Sequence, residues 1–389
     1  MKNLFSQRAK TLIVAVPLTI IIAIVSGFTF FMEGVEHDAL LAVRHSPDIL
    51  LQQQVGGRTE SMYFSRYDDF LQEVDVVKSY FPRSWGYINF PDSKNNGKTK
   101  AFVVMGLESD HIKAGRLIDA VIETGRDLID KDVRKGIIGK AMAKAFKCQV
   151  GDTILVSSPG LRDPIPIIVV GIFTSEVQIY TADLLLTDRL TANEILGFLD
   201  EDECSDMVIF LKNPAMAEVV AQKILSKVSG ARPITRALME SLTEQSFGQK
   251  SGFFHLLWFI LLVNVIIIAW SLLGQISFNL KKEIGILKAV GWDTGDIMAL
   301  KTFETLVIAF LSVLSGLLIG ILYMVIDAPG LKRFVIGWAD IYPDFPVPLY
   351  IEWTTVALIV MLGILPLMAG TIVPIWRIGT IDPDEAIRL

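Results

Sequence analysis

Four stretches of the chain contain no Asp, Glu, Lys or Arg: residues 11–31, 251–280, 305–326 and 353–376. A helix needs about 20 residues to cross the hydrocarbon core of a bilayer, and each stretch meets that length. Placing even one Lys or Arg at mid-membrane costs about 2.5–3.5 kcal/mol, so four uncharged gaps of this length read as four spanning helices. The first reads as an uncleaved anchor, because its apolar run exceeds a signal-peptide core and Phe30-Phe31-Met32-Glu33 offers no small-residue cleavage site. Prolines fall inside the spans at Pro17, Pro366 and Pro374, where neighbouring helices re-satisfy the freed carbonyls. The absence of ionisable groups within the spans argues against a secondary transporter or a channel.

Orientation follows from the basic residues flanking the spans. Lys2, Arg8 and Lys10 precede the first, and Lys281, Lys282, Lys288 and Lys301 lie between the second and third. Arg377 and Arg388 follow the fourth, whereas the 327–352 loop carries only Lys332 and Arg333. The expected plan is a cytoplasmic N-terminus (1–10), span one (11–31), and a large extracytoplasmic domain (32–250). Span two follows (251–280), with a stalk because its 30 uncharged residues exceed the bilayer thickness. A cytoplasmic loop (281–304), span three (305–326), an outer loop (327–352), span four (353–376) and a cytoplasmic tail (377–389) complete it.

Between spans one and two the pattern turns into short alternating runs. Strands are expected at 48–53, 85–90, 100–105, 152–157, 166–173, 207–211 and 232–235, and helices at 67–81, 135–146 and 215–228. The strand-helix-strand order at 48–90 recurs at 207–235. This points to an α+β domain with a core from both ends (32–105 and 207–250) and an inserted subdomain (106–206).

The composition agrees with a membrane protein: 389 residues, 52% hydrophobic and 20% charged. The net charge of −6 resides in the outer segment, which holds 25 basic and 31 acidic residues. With no basic run, nucleic-acid binding is excluded as a class. His37, His45, His111 and His255 are scattered without metal-ligand spacing. No Gly-x-Ser-x-Gly, HExxH or Gly-x-x-x-x-Gly-Lys-[Ser/Thr] motif occurs; Gly97-Lys98-Thr99 has Asp92 at the position of the first glycine. Cys148 and Cys204 both fall outside, where oxidation is permitted. Their spacing does not establish bonding geometry, so a disulfide and two separate thiols both stay open.

The segment 281–292, Lys-Lys-Glu-Ile-Gly-Ile-Leu-Lys-Ala-Val-Gly-Trp, has the spacing of a short amphipathic helix beneath the membrane. Gly291 is placed to end it, and Asp293 or Thr294 to cap the next helix. An interfacial helix on lipid, a re-entrant loop and a docking element for a partner groove all fit this pattern.

Glu283-Ile-Gly-Ile-Leu-Lys-Ala-Val-Gly291 resembles the EIGILRAIG-type signature of the MacB/FtsX-like ABC transporter permeases (type VII), which include the LolC/LolE lipoprotein-releasing proteins. Residues 381–388, Ile-Asp-Pro-Asp-Glu-Ala-Ile-Arg, resemble that family's closing DPxEALR segment. Residues 148–156 and 167–173 resemble its GDxI…VVGIF pattern. Trp292-Asp293 stands where the family has small residues.

The resemblance implies a four-helix membrane protein with a MacB-like periplasmic core between helices one and two, in a bacterial inner membrane. It implies a coupling helix at Lys282, Glu283, Ile284, Gly285, Ile286, Leu287, Lys288, Ala289, Val290 and Gly291. A second ATPase-facing segment would be formed by Asp382, Pro383, Glu385 and Ala386, where Asp382 could also cap a short helix. The chain itself would hold no cofactor and catalyse nothing. ATP and magnesium would be bound by a separate ATPase dimer, with a second permease subunit, identical or different, alongside. A lipoprotein or another extracytoplasmic protein is the implied external partner. Two functions follow from the resemblance: extraction or export of a lipophilic substrate by mechanotransmission, and FtsX-like regulation of an external cell-wall hydrolase; a sensor subunit is a third.

Overall fold

The computed structural model describes residues 8–91, 99–108, 120–129, 132–156, 163–246, 284–332 and 345–379, with short helical pieces between 255 and 267. Contacts divide the chain into two compact units. The first comprises residues 1–34, 247–329 and 349–389, and the second 35–246 and 330–348.

Among the described residues, three helices are long and apolar enough to cross a membrane: Val14–Arg44, Thr294–Val325 and Trp353–Gly370. The first belongs to α1 (Arg8–Arg44), which continues through Pro17 and runs well past the end of the apolar stretch. Most of the expected span at 251–280 lies outside the described residues.

In the first unit, α1 packs against the long helix at Thr294–Val325. A side chain at Gly316 would collide with Ile22, and one at Gly320 with Ser26 and the Gly27 backbone. The Gly-x-x-x-Gly spacing therefore lets two backbones approach, the usual solution where lipid offers no hydrophobic drive. Thr19 Oγ1 donates to the Ser312 carbonyl (3.3 Å) and Ser26 Oγ to that of Gly316 (3.4 Å). Gly363, on the helix at Trp353–Gly379, faces Val313 and Ile22 in the same way.

The second unit is built on one 11-stranded sheet. Its strands are β1 (Ile49–Val55), β2 (Arg58–Glu60), β4 (Val77–Pro91), β5 (Thr99–Leu107), β6 (Ala120–Gly125) and β7 (Lys135–Gly139). The others are β8 (Thr153–Val156), β9 (Ile165–Ser175), β10 (Leu184–Asp188), β12 (Asp206–Leu211) and β13 (Ala231–Thr235). β3 (Met62–Tyr63) and β11 (Glu203–Cys204) pair separately. The order is β13-β1-β12-β4-β5-β10-β7-β9-β6, with β2 on β1 and β8 on β9.

β4 belongs to both halves of this sheet. Val77 to Arg83 pair with β12, and Ser84 to Pro91 with β5. A first lobe thus contains β1, β12, β13 and the start of β4, and a second contains the remainder of β4 and β5 to β10. β1, from the start of the segment, lies between β12 and β13, from its end. The strands at 84–91 and 99–107 pair into the second lobe.

Helices cover the faces. α2 (Ser65–Gln72) and α5 (Ala217–Lys227) close a core around Ile49, Leu51, Tyr67, Leu71, Met207, Ile209 and Ile224. α3 (Lys140–Phe146) and α4 (Arg189–Leu196) close a second around Phe102, Val104, Ile138, Met142, Ile167, Leu185 and Ile195. A third cluster, including Phe81, Leu107, Phe173 and Leu184, lies across both lobes. The chain leaves β13 in a helix over 236–246, α6.

Two expected helices are shorter than their patterns indicated. The 67–81 helix stops at Gln72, because Val77, Tyr80 and Phe81 are β-branched or aromatic and extend along β12. In 135–146 only the second half is helical. Gly136-Ile137-Ile138-Gly139 is a strand, and a side chain at Gly139 would strike the Ala182 carbonyl. The strands β6 and β10 and the helix α4 escaped the pattern. β10 is buried along almost its whole length between β5 and β7, so it shows no alternation. Residues 92–98, between β4 and β5, lie outside the described residues.

Candidate functional site

The candidate site is a short helix and turn at 284–293, in the first unit. The helix, α7, spans 284–289 and is followed after two turn residues and two further positions by α8 (Thr294–Val325). Its end is built from backbone hydrogen bonds. The Gly291 N–H donates to the Lys288 carbonyl (2.9 Å) and the Trp292 N–H to that of Leu287 (3.1 Å). This is a Schellman motif, which needs a left-handed residue just past the helix, and Gly291 supplies it at φ +98°.

The restart is fixed as well. Asp293 caps α8 in a capping box with Asp296, and its own N–H donates to Asp296 Oδ2 at 3.4 Å. Asp293 is therefore the cap that the sequence left open between it and Thr294. One turn further on, Lys301 pairs with Glu304 (2.9 Å).

Side chains hold α7 against α8. Ile284 is 2% exposed and Ile297 fully buried, with Leu287 packed on the pair. The opposite face is open: Ile286 is 55% exposed, Val290 75% and Trp292 40%. At 100° per residue, Ile286 and Val290 lie about 40° apart and Ile284 lies far round the helix from both. A cap at the end of α7, a cap at the start of α8 and an apolar anchor thus hold a short helix in one place while large apolar side chains face outward. Such a surface suits a helix-in-groove contact with another protein.

Of the residues singled out in the sequence, Ile284, Gly285, Ile286, Leu287, Lys288, Ala289, Val290 and Gly291 come together here. Gly285 is buried, and Ile284 and Leu287 point into the anchor rather than outward. Lys282, Glu283, Asp382, Pro383, Glu385 and Ala386 lie outside the described residues. The sequence reading did not place Trp292 on the outward surface and did not see Ile297 as its support. The Asp-x-x-Asp spacing at 293–296 was the available signal for the cap.

Elsewhere, Cys148 and Cys204 are not joined by a disulfide. Cys204 is buried in the first-lobe core, its thiol directed to the Met62 carbonyl (3.5 Å), whereas Cys148 packs on the second-lobe core. Burial pushes the Cys204 thiol up to about 12. Among the described residues no group of three His, Cys, Asp or Glu is placed to hold a metal ion.

Comparison with known proteins covers most of the chain. Residues 11–227 match the MacB-like periplasmic core domain, and residues 255–383 the FtsX-like permease C-terminal domain. No curated protein matches. Among solved structures, the periplasmic region of MacB from Actinobacillus actinomycetemcomitans is similar at 12% identity, covering 52% of this chain and 95% of that one, with a TM-score of 0.38. A domain of a permease protein from Porphyromonas gingivalis is similar at 13% identity, covering 49% and 89%, with a TM-score of 0.31. The core-domain match alone takes in more than half of the 389 residues, and the permease match follows it in the expected order. The chain belongs to the MacB/FtsX-like family, the permease components of ABC transporters whose ATPase is a partner.

Proposed function

We propose that this chain converts ATP hydrolysis by a separate ATPase into movement of its periplasmic domain, and so extracts or exports a lipophilic substrate. The observation that carries the reading is the outward face of Ile286, Val290 and Trp292 on a helix clamped by Gly291, Asp293 and the Ile284–Ile297 pair. The coupling segment 282–291 sits in a groove of the ATPase, and residues 382–386 form the second contact. Preferential binding of ATP to the closed ATPase biases the whole assembly toward one of two states. A second permease subunit completes the complex in a bacterial inner membrane, with both termini and the 281–304 loop cytoplasmic. The 330–348 residues belong to the same compact unit as 35–246, which supports placing that loop on the periplasmic side.

The test uses vesicles carrying the full chain with its ATPase. ATP-dependent release of a lipid-linked cargo, lost in Ile286→Asp and Val290→Asp, is the expected result. ATP consumption with no cargo released, together with activation of a purified cell-wall hydrolase, assigns the chain instead to the regulators. Full coupling in both aspartate variants overturns the docking face.

A further inference from the structure

Among the buried acids of the second unit, Asp38 stands where α1 meets the domain. Asp38 lies near the end of α1 and is 2% exposed. Its carboxylate accepts two backbone hydrogen bonds from one loop, from Gln178 N–H (3.2 Å) and Ile179 N–H (2.7 Å). A buried carboxylate is costly to desolvate unless it is met by donors, and these two amides meet it.

That loop connects β9 to β10 and is stiff. The Val177 N–H donates to Ser175 Oγ (3.1 Å) and the Ala182 N–H to the Gln178 carbonyl (3.0 Å). The Gln178 side chain returns to the Ser175 carbonyl and Thr181 Oγ1 to that of Val177. Its far end is tied into the second lobe. The Ala182 carbonyl accepts from Met142 N–H at the start of α3 (3.0 Å), and the Asp183 carbonyl from Val103 N–H in β5 (3.0 Å).

The first lobe is attached to α1 differently. Ten residues beyond Asp38, Asp48 leads into β1, accepts the Leu211 N–H (2.8 Å) and pairs with Arg236 (3.0 Å) at the start of α6. The Arg236 guanidinium also donates to the Ser46 carbonyl (2.7 Å). The chain therefore meets the two lobes at two separate points, the second at Asp38 on α1 and the first at Asp48, four residues past the end of α1.

We infer that Asp38 is the positioning residue through which α1 drives the second lobe. A carboxylate receiving two amides fixes both distance and direction, so a shift of the helix passes into the 175–183 loop without slack. The inference rests on the proposed ATP-driven motion and adds where that motion enters the domain.

The test measures distances between spin labels in the full chain, assembled with its ATPase in lipid vesicles and carrying Cys148→Ser to remove the partly exposed thiol. One pair joins Lys144→Cys on the second lobe to Glu352→Cys beside the fourth span; the other joins Lys223→Cys on the first lobe to Glu352→Cys. In the parent, ATP shifts both distances. In Asp38→Ala and Ile179→Pro, the 144–352 shift falls by about half or more while the 223–352 shift persists; Asp38→Asn, which keeps one acceptor, restores part of it. Melting temperatures within a few degrees of the parent separate this from unfolding, and Asp38→Asn serves if Asp38→Ala does not fold. Parental shifts in all three variants overturn the inference, as does equal loss in both pairs. No shift in the parent overturns the proposed function itself, and the driven joint with it.

Discussion

Ile284 and Ile297 bury each other at the root of α8. The contact settles the position of α7 without using any of the side chains it shows to the outside, so support and contact surface are separable by mutation. Ile297→Ala should cost about 2–4 kcal/mol locally and weaken ATPase coupling by loosening the helix. Ile286→Asp, at an exposed position, should leave the melting temperature within about 1–2 °C and lower ATPase affinity at least tenfold, about 1.4 kcal/mol. Thermal melts and pull-down titrations with the purified ATPase check both. Equal destabilisation by the two variants would contradict the division.

Gly291 tests the turn. A Cβ meets no atom there, so any effect is conformational. Gly291→Ala places a side chain at φ +98°, at about 1–2 kcal/mol. The outward face should remain present but misdirected. ATPase stimulation is expected to fall several-fold with expression unchanged, and Gly291→Asn to lie between the two.

Gly320 tests the helix pair. The Ser26 side chain and the Gly27 backbone occupy the space a side chain would need. Gly320→Leu must push α1 and α8 apart, and overpacking of this kind costs about 1–3 kcal/mol. Crosslinking between cysteines introduced at Thr19 and Ser312, which a hydrogen bond joins across the two helices, should decline, while Leu318→Ala, at an exposed position on the same helix, should leave it unchanged.

Asp183 gives a pH dependence. It is 8% exposed, and burial lifts its carboxyl to about 6 from an ordinary value of 3.8. Between those values the folded chain holds a proton that the unfolded chain has released. Stability therefore falls as pH rises through that window and levels off above it. Asp183→Asn should flatten this slope and raise the melting temperature at pH 7.5, by at most about 3 kcal/mol of stability for a two-unit shift. Melting curves from pH 4 to 8 decide it; a slope unchanged in the variant would remove Asp183 as its source.

Arg83 and Asp206 meet where β4 changes partner. The guanidinium donates through Nε (2.7 Å) and Nη2 (2.8 Å) to a fully buried carboxylate, which also accepts from Trp85 Nε1 (2.7 Å). Arg83→Met leaves that charge buried and should cost about 3–5 kcal/mol. Arg83→Met with Asp206→Leu should recover much of the loss, because the two sites share one interaction. Chemical denaturation of the three variants reads the coupling directly.

The sequence carried the parts of this architecture that depend on spacing. Uncharged runs showed three of the long apolar helices, and alternation showed β1, β12 and β13. Glu283 to Gly291 pointed to α7, and Gly291 to its end. It carried less where burial on both faces erases alternation, as along Leu184-Leu185-Leu186. It misled where Gly136 and Gly139 sit in a strand for want of room rather than in a turn or helix. Leu287 looked like part of one apolar face with Ile286, Ala289 and Val290. Only the position of Ile297, thirteen residues from Ile284, shows which of them face inward.

The shared strand β4 bears on how this protein can be taken apart. Its residues change allegiance between Arg83 and Ser84, in mid-strand and beside a buried ion pair, with no linker to sever. A fragment bearing one lobe alone would carry a raw sheet edge of unmet amides and carbonyls, and would clump before it could be assayed. Biochemistry on either half has to be done by point substitution within the whole.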